Sequence, residues 1–200
     1  MYSYYYYFNK SEQKDEKYRT IFNTIGCVEG NREYLLDEVK KNNSFCRNQE
    51  GIDYNYFLSS MKQDDIVIYI TESTNIKILG ACSISIYHTN IDINSICVPP
   101  TNSDVGIKKR IGSLLLNKIK ELAQNILSVT RILVTFSSNS TVKDFYIKNN
   151  FTETDERLNN VMIFRVREGG RRRRKTNNKR KTKQRNQKTR KFKRTSTNQP

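Results

Sequence analysis

Three cations stand in a row between two glycines in Gly106-Ile107-Lys108-Lys109-Arg110-Ile111-Gly112. Ahead of them lies an apolar, partly β-branched run, Ile93–Val98, ended by Pro99-Pro100. Proline has no N–H for a strand ladder, so a strand must stop there. From about Ile107 the apolar residues take a helical period: Ile107, Ile111, Leu114, Leu115, Ile119, Leu122, Ala123 and Ile126 share one face. Lys108, Lys109 and Arg110 therefore fall where a helix begins, beside free backbone N–H groups and the positive end of the helix dipole. Added cations are unfavourable there unless an anion docks, and a strand–turn–helix start is a recurring phosphate cradle. An ordinary βα turn with solvated lysines accounts for the same residues.

Other chemistries find less support. Cys27, Cys46, Cys82 and Cys97 are far apart with no CxxC spacing, and His88 is the only histidine. Neither a metal site nor a Cys–His nucleophile pair is expected. Cys82 and Cys97 lie in apolar runs, where a thiol acts as a small hydrophobe, and reduced thiols are the expectation. No apolar run approaches the ~20 residues that span a bilayer. The opening MYSYYYYFNK has neither the basic start nor the apolar core of a signal peptide. No membrane partner is expected.

The charge is partitioned. The net +16 conceals a division: 15 of the 36 Lys/Arg, and none of the 20 Asp/Glu, lie after Glu168. The first 168 residues thus hold 21 cations against 20 acids, a net of +1. We divide the chain into a Tyr-rich N-terminal extension (1–17), a domain (18–168) and a basic tail (169–200). The tyrosine run suits an edge strand or a mobile lead-in.

Elements that would position the cation-rich turn follow from periodicity. Tyr18–Cys27, with β-branched and aromatic content, reads as a first strand. A helix follows Asn31, a suitable N-cap, with Lys40 and Lys41 at its C-terminal end. Tyr54–Met61 reads as a second short helix, after a polar loop over 42–53. Asp65–Thr71 and Ile76–Tyr87 are strands, the second with a bulge or bend at Gly80. With the strand ending at Val98 they form an antiparallel meander. Arg131–Phe136 after the long helix implies a parallel crossover. A short helix, Thr141–Lys148, and a last strand, Val161–Val166, complete an α/β (α+β) fold with a central mixed sheet flanked by helices.

The segment SSNSTVKDFYIKNNF, taken with the strand–turn–helix before it, resembles the GNAT N-acetyltransferase superfamily over roughly Tyr18–Val166. Asn139, Phe145-Tyr146 and Phe151 match the family's N-x-x-A-x-x-F-Y-x-x-x-G-F pattern, with Val142 at its alanine and Asn150 at its final glycine. Asn is the next most tolerated residue in the left-handed conformation a helix exit requires. Of the family's Gln/Arg-x-x-Gly-x-Gly/Ala coenzyme signature only Gly112 matches; Arg110 replaces the middle glycine and Ile107 the polar start. The resemblance implies a GNAT-like acyl-CoA N-acyltransferase fold and acetyl-CoA as co-substrate, with no metal. Its pyrophosphate would meet Lys108, Lys109, Arg110, Ile111 and Gly112. Its pantetheine arm would lie between splayed parallel strands at the Cys97 and Val98 backbone, with Asn139 as a further contact or as a helix cap. A primary amine would attack the thioester directly, with the oxyanion held by backbone N–H. Tyr146 takes the position of the family's general acid. Asp92, the acid on the strand and expected to share a face with Asn94 and Ile96, is the candidate base. A packed aromatic and a solvated aspartate are the plainer roles for the same two residues.

The tail, RRRRKTNNKRKTKQRNQKTRKFKRTSTNQP, has one aromatic, Phe192, and no Leu, Ile or Val. It cannot bury enough apolar surface to fold, and residues 171–194 are expected to bind nucleic acid or another polyanion. Asn/Lys/Ile-rich usage with a basic tail resembles proteins of large DNA viruses. The expectation is an intracellular protein, cytoplasmic or nuclear, in an infected cell or a virion. The alternative function is a non-catalytic GNAT-fold protein that has lost coenzyme binding and acts through its tail.

Overall fold

The computed structural model describes residues 2–9, 15–41, 54–72, 77–98, 105–136, 140–154 and 160–166. Within 105–109 and 140–141, and at Asp15, only the backbone is described. The polar loop 42–53, the turn 99–104, Asn139 and the tail 169–200 lie outside the described residues. All the described elements belong to one compact unit, 1–168.

The elements run β1 (Tyr2–Phe8), α1 (Asp15–Thr24), β2 (Cys27–Glu29), α2 (Arg32–Lys41), α3 (Tyr54–Gln63), β3 (Ile66–Glu72), β4 (Ile78–Ile86), β5 (Asn90–Cys97), α4 (Val105–Asn125), β6 (Arg131–Thr135), α5 (Ser140–Lys148), β7 (Thr152–Glu153) and β8 (Val161–Arg165). The strands form a single mixed sheet in the order β2-β1-β3-β4-β5-β6-β8-β7. β3, β4 and β5 are the antiparallel meander, and β5 and β6 are parallel across the α4 crossover.

Two elements differ from the sequence expectation. The tyrosine run is neither an edge strand nor a lead-in. β1 lies inside the sheet, parallel to β2 and antiparallel to β3 from Tyr2↔Glu72 to Phe8↔Ile66. Both faces are used, because strand side chains alternate. Tyr6 stacks on Phe22 with ring centroids 4.2 Å apart, while Tyr5 stacks on Tyr69 on the other side. Tyr7 Oη donates to the Met61 carbonyl at 2.9 Å, so this buried phenol has its polar tip satisfied. The expected strand Tyr18–Cys27 is instead helix α1 followed by β2. Tyr18, Ile21, Phe22 and Ile25 recur at i, i+3, i+4 and i+7, and this stripe packs on the core.

Helices cover both faces of the sheet. One core cluster joins α1, α4 and α5 to β3–β6, with Ile111, Leu115, Leu116, Ile119, Leu122 and Ala123 of α4, and Ile126 just after it, buried in it. A smaller one joins Leu35, Leu36, Val39, Phe57 and Met61 of α2 and α3 to Tyr7, Val67, Tyr69, Ala81 and Cys97. Asn31 caps α2 as expected, its Oδ1 accepting from the Tyr34 N–H at 3.0 Å. The irregularity expected at Gly80 falls beside it: Gly80 opposes Ile70 and Ile78 opposes Thr71, leaving Leu79 as the extra residue. At Gly80 the sheet is packed tightly against α4, since a Cβ there would lie 2.8 Å from Ile111 Cγ2 and 3.1 Å from the Cys97 carbonyl oxygen.

Candidate active site

β5 and β6 pair from Asn90↔Arg131 to Ile93↔Val134, and there their register stops. On its other side β5 stays paired with β4 as far as Ala81↔Cys97. Among the described residues, the β5 backbone beyond Ile93 therefore has no strand partner on its β6 side. The same place carries a bulge. Ser83 opposes Ser95 and Ile84 opposes Ile93, so Asn94 is the extra residue. A bulge re-aims the side chains that follow it. Ile91 and Ile93 belong to the α4-side cluster before the bulge; Ile96 and Val98 belong to it afterwards, and Cys97 turns to the α2/α3 side. The expectation that Asp92, Asn94 and Ile96 share one face is thus corrected: strict alternation fails at Asn94, and Ile96 faces α4.

Asp92 is half-buried on the face away from α4. It belongs to a polar row along the β4–β5 seam: Asn90 Nδ2 donates to Asp92 Oδ1, and Asn94 Nδ2 donates to Ser85 Oγ at 3.0 Å. The row continues to a fully buried hydroxyl pair, Ser83 Oγ and Ser95 Oγ, 2.6 Å apart.

Tyr146 occupies the other face. It is buried in the α4-side cluster, with edge-on contacts to Phe145 and Phe151 at 5.2 and 5.4 Å between centroids. Burial raises its phenol pKa, with the nearby Cys82 thiol adding to the effect, so the group stays protonated at neutral pH. The end of α5 holds it there. Asn150 has φ +64°, Phe151 N–H donates to the Tyr146 carbonyl at 3.0 Å, and Asn150 N–H donates to that of Ile147 at 2.9 Å. These two bonds, with the Phe151–Tyr146 ring contact, make a Schellman cap. The left-handed asparagine is as the sequence led us to expect.

The residues proposed from sequence for the coenzyme are distributed differently from the expectation. α4 begins at Val105, so Gly106–Gly112 lies inside the first turns of the helix and not in the turn ahead of it. Side chains of Lys108 and Lys109, and all of Asn139, fall outside the described residues. Arg110 is exposed, with its guanidinium 5.9 Å from the centroid of Tyr2. Ile111 packs in the core. Gly112 is where α4 approaches α5, because a Cβ there would lie 3.0 Å from Phe145 Cζ. Cys97 is disulfide-bonded, to a partner outside the described residues, which corrects the expectation of a reduced thiol there. Sequence spacing cannot reveal which distant cysteine a fold brings near. Cys27 and Cys82 are free and buried. Among the described residues no His/Cys/Asp/Glu group could hold a metal, and no helix is long and apolar enough to cross a membrane.

No protein-family model and no curated protein matches the chain by sequence. Solved structures do match by shape. The catalytic domain of Tetrahymena GCN5 histone acetyltransferase, solved with coenzyme A, superposes with a TM-score of 0.53 at 12% identity, covering 86% of this chain and 96% of that one. The chain has the GNAT fold. A GNAT-family acetyltransferase from Streptococcus pneumoniae matches with a TM-score of 0.48 at 17% identity, covering 68% of this chain and 96% of its own. The ribosomal-protein-S18-alanine N-acetyltransferase from Escherichia coli gives 0.48 at 13%, covering 68% and 91%.

Within the GNAT fold of this chain, Tyr146 lies on the α4 side of the sheet and Asp92 on the other, one residue before the last β5–β6 pair. Sequence reading did not find the Ser83–Ser95 pair, the bulge at Asn94, the Tyr2–Arg110 contact or the buried Lys120. The serines carried a signal, since two small polar residues stand in otherwise apolar strands. The contact of Tyr2 with Arg110 carried none, because it depends on placing β1 inside the sheet.

Proposed function

We propose that the protein is an N-acetyltransferase that moves an acetyl group from acetyl-CoA to a primary amine. The observation carrying this reading is the parting of β5 from β6 after Ile93 and Val134, with a protonated tyrosine on one face and a carboxylate on the other. The edge of β5 that its register with β6 leaves after Ile93, running towards Cys97 and Val98, suits an extended amide-bearing arm, which would add to the sheet as a strand does. Acetyl-CoA supplies a thioester carbonyl; the chain's part is to hold it and move protons. Asp92 takes the proton from the incoming ammonium, directly or through water, and the free amine attacks the carbonyl carbon. As the C–S bond breaks, Tyr146 gives its proton to the leaving sulfur, and the extra proton on the attacking nitrogen passes to the resulting phenolate or to water, leaving a neutral amide. The start of α4, whose first N–H groups have no partner within the helix and which carries Lys108, Lys109 and Arg110 in its first turns, is our site for the pyrophosphate; the N–H groups of Ile111 and Gly112 lie deeper, inside the helix. Asn139 is a further candidate contact.

Tyr146→Phe keeps the ring and removes the proton. Loss of a general acid is worth about 10²–10⁴ in rate, so turnover falls that far while coenzyme affinity measured by calorimetry holds. A drop below about threefold reassigns Tyr146 to packing. Arg110→Glu weakens acetyl-CoA binding; wild type that binds none at millimolar coenzyme favours the non-catalytic alternative.

The second part of the proposal concerns the tail. Its 15 cations beyond Glu168 make residues 171–194 the segment for nucleic acid or another polyanion. Phosphate neutralisation releases counterions, so log affinity falls with log salt by about 0.9 per phosphate on duplex DNA. A chain ending at Glu168 loses this binding in fluorescence anisotropy across a salt series. Equal affinity with and without the tail places the polyanion site elsewhere.

A further inference from the structure

α4 buries one lysine along with its apolar face. Lys120 is 9% exposed, and among the described residues no carboxylate pairs with it. Its Nζ donates to the Asn149 carbonyl at 2.6 Å and stands 4.7 Å from the ring centroid of Phe164 and 5.5 Å from that of Phe151. Removing an ammonium from water is costly, and an apolar residue of the same length would fill the space without that cost. The cation is nevertheless placed where α5 ends and its last carbonyls carry partial negative charge.

Two of these contacts of Lys120, with Asn149 and Phe151, belong to the cap that fixes Tyr146; the third, Phe164 of β8, itself packs on Phe151. The Tyr146 and Ile147 carbonyls accept from Phe151 and Asn150, and the Phe145 carbonyl accepts from Asn149 through both its backbone N–H, at 3.2 Å, and its side-chain Nδ2, at 2.8 Å. Lys120 satisfies the carbonyl of Asn149, just past the last turn. Phe151 then links the two ends of the arrangement, with one contact to the ammonium and another to the Tyr146 ring.

We propose that Lys120 is a positioning residue: it locks the C-terminal cap of α5 and thereby sets where the Tyr146 hydroxyl sits relative to the parted strands. This rests on the role of Tyr146 proposed above. The full chain is compared as wild type, Lys120→Met, Lys120→Arg, Tyr146→Phe and the Lys120→Met/Tyr146→Phe double variant.

Two readouts separate the ideas. With ring-labelled tyrosine, the NMR signal that Tyr146→Phe deletes is assigned to Tyr146. Lys120→Met moves or broadens it, and Lys120→Arg, which keeps charge and donors, returns it towards its original position. An unmoved Tyr146 signal in a folded Lys120→Met protein overturns the proposal, whether or not the protein acetylates anything. In turnover with acetyl-CoA and poly-L-lysine, Lys120→Met costs about 10- to 100-fold, the order expected of a group displaced by about 1 Å. The KM for acetyl-CoA stays within about twofold, and the double variant is no slower than Tyr146→Phe alone. Losses that multiply in the double variant make Lys120 independent of Tyr146 and also overturn the proposal. A moved signal with turnover insensitive to Tyr146→Phe sinks the acid role of Tyr146 and leaves the positional link standing. If Lys120→Met does not fold, Lys120→Gln takes its place; if neither folds, Lys120 is a stability residue and the proposal fails.

Discussion

Gly80→Ala adds a single methyl group where the sheet and α4 nearly touch. The new Cβ would stand 2.8 Å from Ile111 Cγ2, 3.1 Å from the Cys97 carbonyl oxygen and 3.3 Å from Leu115 Cδ1. Carbon atoms prefer about 3.5–4.0 Å. Ile111 is β-branched and holds essentially one χ1 rotamer in a helix, and the carbonyl belongs to a paired strand, so neither swings away. α4 must lift instead, and overpacking of this kind costs about 1–3 kcal/mol. With a urea m-value of about 2 kcal/mol/M, the midpoint falls by about 0.5–1.5 M. Gly112→Ala is the internal control. There the nearest atoms belong to the Phe145 ring, at 3.0 and 3.3 Å, which can shift, and replacing a helical glycine by alanine returns up to about 1 kcal/mol. Its midpoint moves far less than that of Gly80→Ala. Urea unfolding of both variants, followed by circular dichroism, makes the comparison. An unchanged midpoint and m-value for Gly80→Ala would refute the claim that α4 is seated on the sheet at this glycine.

Two further outcomes can be measured the same way. Ser83→Ala leaves the buried Ser95 hydroxyl without its partner and costs about 1–3 kcal/mol, whereas the Ser83→Ala/Ser95→Ala double variant costs less than the two singles combined; strictly additive singles mean the hydroxyls are not paired. Stability also falls with alkalinity. Burial pushes the Cys27 thiol and the Tyr69 phenol up to about 12, and raises Cys82, Tyr7 and Tyr146 as well. Above about pH 9 the unfolded chain loses protons that the folded chain keeps, so it binds fewer protons and the unfolding free energy declines as pH rises. The contribution of these groups is whole below pH 9 and is lost towards pH 12, by up to about 1.4 kcal/mol per pH unit for each. Urea midpoints at pH 8, 9.5 and 10.5 test it, and a constant midpoint would show that these groups are solvated.

What could be read from sequence was what depends on neighbouring residues alone. The apolar stripe of α4, the Asn31 cap and the left-handed Asn150 are local consequences of side-chain type and spacing, and each is found where the sequence put it. Errors came where local propensity opposed spacing and where partners are distant. α1 was mistaken for a strand because Ile21 and Phe22 favour β structure, although their spacing with Tyr18 and Ile25 is helical. The tyrosines of β1 gave no sign of an interior strand, since their partners in β3 lie some sixty residues away in sequence. At the candidate site, Tyr146 was read from the Phe145-Tyr146 match and Asp92 as the acid of its strand, but the bulge that turns Ile96 towards α4 has no marker in Asn94. Nothing in the sequence marks Lys120 among the lysines of α4; it is buried because the end of α5 and Phe164 of β8 pack over it.

The place of β1 also bears on how the chain is made. Synthesis delivers Tyr2–Phe8 well before the strand it lies against, which runs from Ile66 to Glu72. Until that strand leaves the ribosome, four consecutive tyrosines have only the short, parallel β2 to pair with. A β-prone aromatic segment without its main partner is a site for wrong pairing with other chains. Slowing translation across residues 9–72 lengthens that exposure and should increase aggregation of the nascent protein, while the stability of molecules that have finished folding stays the same.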